Sequence, residues 1–127
     1  MPTLIFESAP CTDEINFVRG GGRCYTSGET IALNFLNCNP AASDQIAVYG
    51  SSETTLTDPL LWLWSCGSQG CFGATKEGSV VLDQAAQGDS PWPLPLGLYK
   101  VWLIRFSDVP PYTAIVQGEE FEVGLCI

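Results

Sequence analysis

The sequence predicts an all-β fold: an antiparallel two-sheet sandwich of about seven strands, stapled by disulfides. Three observations predict it. Apolar residues recur in short alternating runs bounded by turn residues, and no stretch of about ten residues or more carries helical spacing. Thirteen glycines and nine prolines are scattered through 127 residues without a repeat, which implies many turns between short strands. Six cysteines stand in a chain with no histidine, a pattern of disulfides rather than of zinc, which favours paired C-x-x-C spacings or histidine partners.

Taken in order, the elements begin with an apolar segment that stands apart. Leu4, Ile5 and Phe6, then Ile15, Phe17 and Val18, are strand-like, and Gly20-Gly21-Gly22 follows between Arg19 and Arg23. Three consecutive glycines are costly to order and act as a tether. Residues 1–22 are therefore read as a strand-forming arm and residues 23–127 as the sandwich. The competing reading has the arm fold back as the first strand of its own domain.

After the turn Thr26-Ser27-Gly28-Glu29, Ile31, Leu33 and Phe35 share the core face of a strand. The loop 39–44 leads to a second strand, Gln45 to Tyr49. Leu60 to Ser65 is apolar on both faces, which suits a strand covered on its outer side as well. Ser79 to Asp83 is a short strand. Pro91, Pro93 and Pro95 remove ladder donors, so that stretch is an extended connection. In the longest candidate, Leu98 to Phe106, Tyr99, Val101 and Leu103 point one way and Lys100, Trp102 and Ile104 the other. Pro110-Pro111 turns the chain into a last strand, Thr113 to Val123, interrupted at Gln117-Gly118, with Phe121 and Val123 inward.

Six cysteines allow fifteen pairings. Cys66 and Cys71 read as a loop clamped by its own bridge, and Cys11–Cys38 with Cys24–Cys126 is the pairing taken for the others. Such cysteine usage places the protein outside the cytoplasm, secreted, at a cell surface or in an external filament. The opening Met1 to Glu7 lacks the basic start of a secretion signal, and no run approaches the length of a membrane span. The formal charge of −9, from 14 acidic and five basic residues, repels phosphate backbones and anionic membranes. Neither nucleic-acid binding nor membrane insertion is expected.

The run from Tyr25 to Val123 resembles an Ig-like or fibronectin-III-like accessory sandwich. It is similar to the one preceding the catalytic unit in secreted metallophosphoesterases of the purple acid phosphatase type, and to SKICH-type sandwiches. The resemblance rests on Tyr25-x-x-Gly28-Glu29, Asp44-Gln45-Ile46-Ala47-Val48-Tyr49, Trp64-Ser65-Cys66-Gly67, Trp92-Pro93-Leu94, Gly97-Leu98-Tyr99 and Phe121-Glu122-Val123. It covers about three-quarters of the chain through short motifs. It implies a structural or binding accessory role, with Gly97-x-Tyr99 as a tyrosine corner. The metal-binding Asp, Asn and His pattern of those enzymes is absent from this sequence.

Without histidine, Ser-His and Cys-His nucleophilic chemistry is excluded. Asp44, Asp58, Asp83, Asp89 and Asp108 lie singly in expected turns and read as solvated carboxylates, and no Asp-x-Asp-x-Asp series invites calcium. No enzymatic activity, cofactor or metal is expected. Trp102 beside Lys100, with Trp92 in a nearby loop, is the candidate platform for a carbohydrate. The arm residues Leu4, Ile5, Phe6, Ile15, Phe17 and Val18 could instead donate a strand to a neighbouring copy, a head-to-tail contact that builds filaments. Leu60 to Trp64 and the outer side of the 98–106 strand would receive it. The sequence reading is thus a structural subunit of an external assembly, with self or another protein as partner. The alternative is an accessory domain that binds carbohydrate or protein, and a hydrolase comes third.

Overall fold

The computed structural model describes residues 10–19 and 23–126, so Leu4, Ile5 and Phe6 lie outside the described residues. Eight strands follow one another: β1 (Glu14–Phe17), β2 (Cys24–Tyr25), β3 (Ile31–Leu36), β4 (Asp44–Gly50), β5 (Leu61–Trp64), β6 (Glu77–Leu82), β7 (Gly97–Arg105) and β8 (Thr113–Val123). A single 3-10 turn, Gln84–Ala86, separates β6 from β7, and Asp83 caps it by accepting from the Ala85 amide at 2.8 Å. The strands form two sheets, ordered β1-β3-β6 and β2-β8-β7-β4-β5. The chain is all-β and sandwich-like, and one of the two sheets is curled like half a barrel.

The alternation in the sequence assigns the faces. Ile31, Leu33 and Phe35 of β3 are buried against Ile46, Val48 and Leu63 of the opposite sheet. Tyr99, Val101 and Leu103 of β7 join the same core. The order of crossing between sheets is that of an Ig-like sandwich: β3 and β6 stay in one layer while β4-β5 and β7-β8 pair in the other. At the head of β7 the Tyr99 hydroxyl donates to the Pro95 carbonyl at 2.5 Å, a tyrosine corner. Two residues on, where antibody domains carry an inter-sheet cystine, stands Val101, fully buried. Aliphatic packing fills the centre. The disulfides lie elsewhere and join Cys11 to Cys38, Cys24 to Cys126 and Cys66 to Cys71, the pairs taken from the sequence.

Three details differ from the expectation. Among the described residues there are eight strands where about seven are expected, and one pairing, β2 on β8, is parallel, so the sheets are not purely antiparallel. The interruption at Gln117-Gly118 does not break β8. The register shifts against β7 between Lys100 and Trp102, and again between Leu103 and Ile104, which bends the strand and keeps it paired. Gly118 serves that bend: a Cβ there would stand 2.7 Å from a Val101 methyl and 2.8 Å from an Ile15 methyl.

That contact with Ile15 also moves the domain boundary. Glu14 to Phe17 pair antiparallel with Leu36 to Leu33 of the same chain, and Ile15 is only 4% exposed. The sandwich therefore includes part of the expected arm. Phe17 packs edge-on to Phe121 at 5.6 Å and lies near Tyr25. Arg19 stands 4.3 Å above the Tyr25 ring and pairs with Glu29, while Arg23 covers the Phe17 ring and pairs with Glu119 at 2.5 Å. Val18 remains exposed, its amide donating to the Ala32 carbonyl at 3.0 Å.

Candidate ligand-binding site

The outer face of the five-stranded sheet is apolar, as the two-sided composition of 60–65 requires. Leu61 and Leu63 point inward from β5, so Trp62 and Trp64 point out. The same alternation places Gln45, Ala47 and Tyr49 of β4 and Trp102 and Ile104 of β7 on that face. Ala47, Tyr49, Leu56 and Ile104 form a second buried cluster, with Trp62, Trp102 and Tyr112 packed against it. Two connections cover part of it. The Tyr112 amide donates to the Leu56 carbonyl at 2.7 Å, and the Tyr49 hydroxyl donates to the Thr57 carbonyl at 3.0 Å.

What remains uncovered is a cleft of about 540 Å³ at the β5 edge, within the usual size of ligand sites. Its apolar wall is a chain of rings set at angles. Trp62 and Trp64 meet edge to face at 5.2 Å, Trp64 meets Phe106 at 5.8 Å and 86°, and Phe106 lies 4.9 Å from Tyr112. The polar wall comes from two connections. Gln69, in the loop clamped by Cys66–Cys71, donates from Nε2 to the carbonyls of Trp62 and Gln87, both at 2.9 Å. Gly88 brings the β6–β7 connection against β5: its amide donates to the Leu60 carbonyl at 3.0 Å, and a Cβ there would sit 2.6 Å from the Pro59 carbonyl. Any larger residue would push that wall outward.

The electrostatics are one-sided. Asp58 and Asp89 line the cleft and no lysine or arginine does. Among the described residues the three arginines are paired with Glu29, Glu119 and Asp44, so none compensates these carboxylates. Gln45, which also lines the cleft, is only 3% exposed, and its Oε1 is buried with no hydrogen-bond partner among the described residues. A buried acceptor left unmet costs about 1–3 kcal/mol. Burial pushes the Tyr49 phenol well above its ordinary range, and Tyr112, Asp58 and Glu53 add to the shift. It stays neutral and keeps its proton for Thr57.

The expected site residues are dispersed. Trp102 is on the outer face, but it is half-buried, packed like Tyr112 and Trp62 against the second cluster, with its indole Nε1 enclosed and without a partner among the described residues. Lys100 follows the same face, opposite Tyr49 and Glu120. Trp92 packs instead against the core between the sheets. These three do not form one platform, because Trp92 comes from a connection that returns to the inner layer. Trp62, Trp64, Phe106 and Tyr112 form the ring surface. The period-two pattern at 61–64 carried the signal for the first two; their meeting with 106 and 112 depends on strand order.

Asp44 also departs from the reading of turn acids as solvated. It is fully buried, accepts from Asn37 Nδ2 at 2.6 Å and from the Ala41 amide at 2.8 Å, and pairs with Arg105 at 2.6 and 2.9 Å. The hydrogen bond to Asp44 raises the Arg105 pKa above its already high value. This knot joins β4 to the end of β7. Asp58, Asp89 and Asp108 are exposed. Among the described residues, no three acidic, cysteine or histidine side chains gather as a metal site would require, and no helix is long and apolar enough to cross a membrane.

Comparison with protein-family models, with curated proteins and with solved structures gives no match. Three disulfides are compatible with an extracellular protein.

Proposed function

We propose that this protein is a non-catalytic extracellular binding module that takes a carbohydrate into the cleft on the outer face of its larger sheet. One observation carries the proposal: a cleft of about 540 Å³ is walled by the rings of Trp62, Trp64, Phe106 and Tyr112, with the acceptor carboxylates of Asp58 and Asp89 beside them. Sugars supply both complements, since the faces of a pyranose carry C–H groups that pack on aromatic rings and its hydroxyls donate. The accessory sandwiches that the sequence resembles suggest the same kind of role. Rings at 76° and 86° to one another cannot lie together on a flat crystalline surface, so a soluble chain or a chain end is the expected form of ligand.

The filament reading loses two of its donor residues, because Ile15 and Phe17 already pack within their own chain. Titration calorimetry with soluble neutral oligosaccharides, on the wild type and on Trp64→Ala, tests the proposal. Binding that is lost in the variant is the expected result. Absence of heat with every oligosaccharide would remove it.

A further inference from the structure

We infer that the cleft selects a protonated amino sugar, a glucosamine-type residue with a free amine, over neutral and acidic sugars. This rests on the carbohydrate reading above and adds charge to it. The exposed charged groups beside the rings are both anionic, the Asp58 and Asp89 carboxylates. Gln69 has already committed its donor nitrogen to the carbonyls of Trp62 and Gln87. Gln87 has committed its own side chain as well, donating to the Gln84 carbonyl at 3.0 Å and accepting from the Trp92 amide at 3.0 Å. No basic side chain lines the site, so a uronate or a sulfated sugar would meet only like charge.

The two carboxylates belong to one wall. The Asp89 amide donates to the Pro59 carbonyl at 2.9 Å, which sets Asp89 beside the residue that follows Asp58. Both line the same cleft as the rings of Trp62, Trp64, Phe106 and Tyr112. A cation placed between carboxylates and aromatic rings gains from both, through charge and through the ring quadrupole. A quaternary ammonium would satisfy the rings but has no N–H to donate to the Asp58 and Asp89 carboxylates. A primary ammonium on a sugar ring brings N–H and O–H donors for the carboxylates together with an apolar face for the rings.

The test compares three tetramers by calorimetry on the whole protein at a pH where the amine is protonated: β-1,4-linked glucosamine, its N-acetylated form, and cellotetraose. The glucosamine tetramer is expected to bind about tenfold tighter than the other two. That preference should shrink with added salt and in Asp58→Asn and Asp89→Asn. Glu77→Gln, on the exposed edge of the smaller sheet, controls for the general negative charge and should leave it unchanged. Equal binding of all three tetramers, or a preference that Glu77→Gln reduces as much as the cleft variants do, overturns the charge selection and leaves the carbohydrate reading standing. No binding of any tetramer overturns both.

Discussion

The two faces of the five-stranded sheet are made by alternate residues of the same strands, yet they are finished differently. On β4, β5 and β7 the centre of the inner face is Ile46, Val48, Leu61, Leu63, Val101 and Leu103, all aliphatic and at most 2% exposed. The outer face is Gln45, Tyr49, Trp62, Trp64 and Trp102, and two of its buried polar atoms, Gln45 Oε1 and Trp102 Nε1, have no partner. The inner face has done its work once the sheets close. The outer face buries as much aromatic surface as two short connections allow and stops short, leaving rings and an acceptor unmatched. Equal hydrophobicity in the sequence therefore hides two finishes, one closed by the opposite sheet and the other left open as a ring-lined cleft.

The sharpest way to break this contrast is a pair of adjacent residues on β5. Leu63→Ala should cost about 2–5 kcal/mol in urea unfolding and leave oligosaccharide affinity unchanged where the protein is folded. If affinity falls with it, the two faces are not independent. Gly88→Ala should come next, at about 1–3 kcal/mol, because its methyl meets backbone oxygen rather than a movable side chain. Unlike Leu63→Ala, it should also weaken binding by displacing the polar wall.

Trp64→Ala should show the opposite balance, with a urea midpoint that moves less than for Leu63→Ala and a ligand affinity reduced at least tenfold, about 1.4 kcal/mol. Gln45→Met sharpens the comparison further. Replacing a side chain whose buried carbonyl oxygen is unmet with an apolar chain of similar length should raise stability by about 1 kcal/mol. A loss of stability would show that the amide is satisfied in the free protein.

The smallest effect concerns pH. Tyr25, Tyr49 and Tyr99 have phenols raised above the ordinary value, in each case chiefly by burial. In the unfolded chain they ionise near pH 10, whereas in the folded protein they hold their protons. Their contribution is intact below about pH 10 and is lost as pH rises from there towards the folded values. Urea midpoints should therefore fall on the alkaline side. Tyr49→Phe should flatten the fall, at a cost of about 1 kcal/mol near neutrality for the lost bond to Thr57.

Much of this architecture was legible in the sequence because it depends on period two. The inward sets on β3 and β7, the proline-rich connection at 91–95 and the tyrosine corner at Tyr99 all follow from local pattern. The cleft was legible only in part. Trp62 and Trp64 announce a covered outer face, but Phe106 and Tyr112 reach them because β4 lies between β5 and β7, a long-range fact that no local signal carries. Asp44 misled for a related reason: an acid beside a turn looks solvated until Asn37 and Arg105, 61 residues away, arrive to bury it. The glycine run before Arg23 suggested a free arm. Whether Ile15 belongs to the core was decided by the absence of a side chain at Gly118.

The bridge between Cys24 and Cys126 has a mechanical consequence. Suppose the chain is pulled from a point before Cys11 and a point beyond Cys126. The tension reaches Cys24 along the first strand or through Cys38, and then crosses to Cys126 through sulfur. Residues 39–125, which include every group lining the cleft, lie on a slack loop beside that path. Force that would unravel an unbridged sandwich from its ends bypasses the outer face, and the cleft can keep its shape while the molecule carries a load.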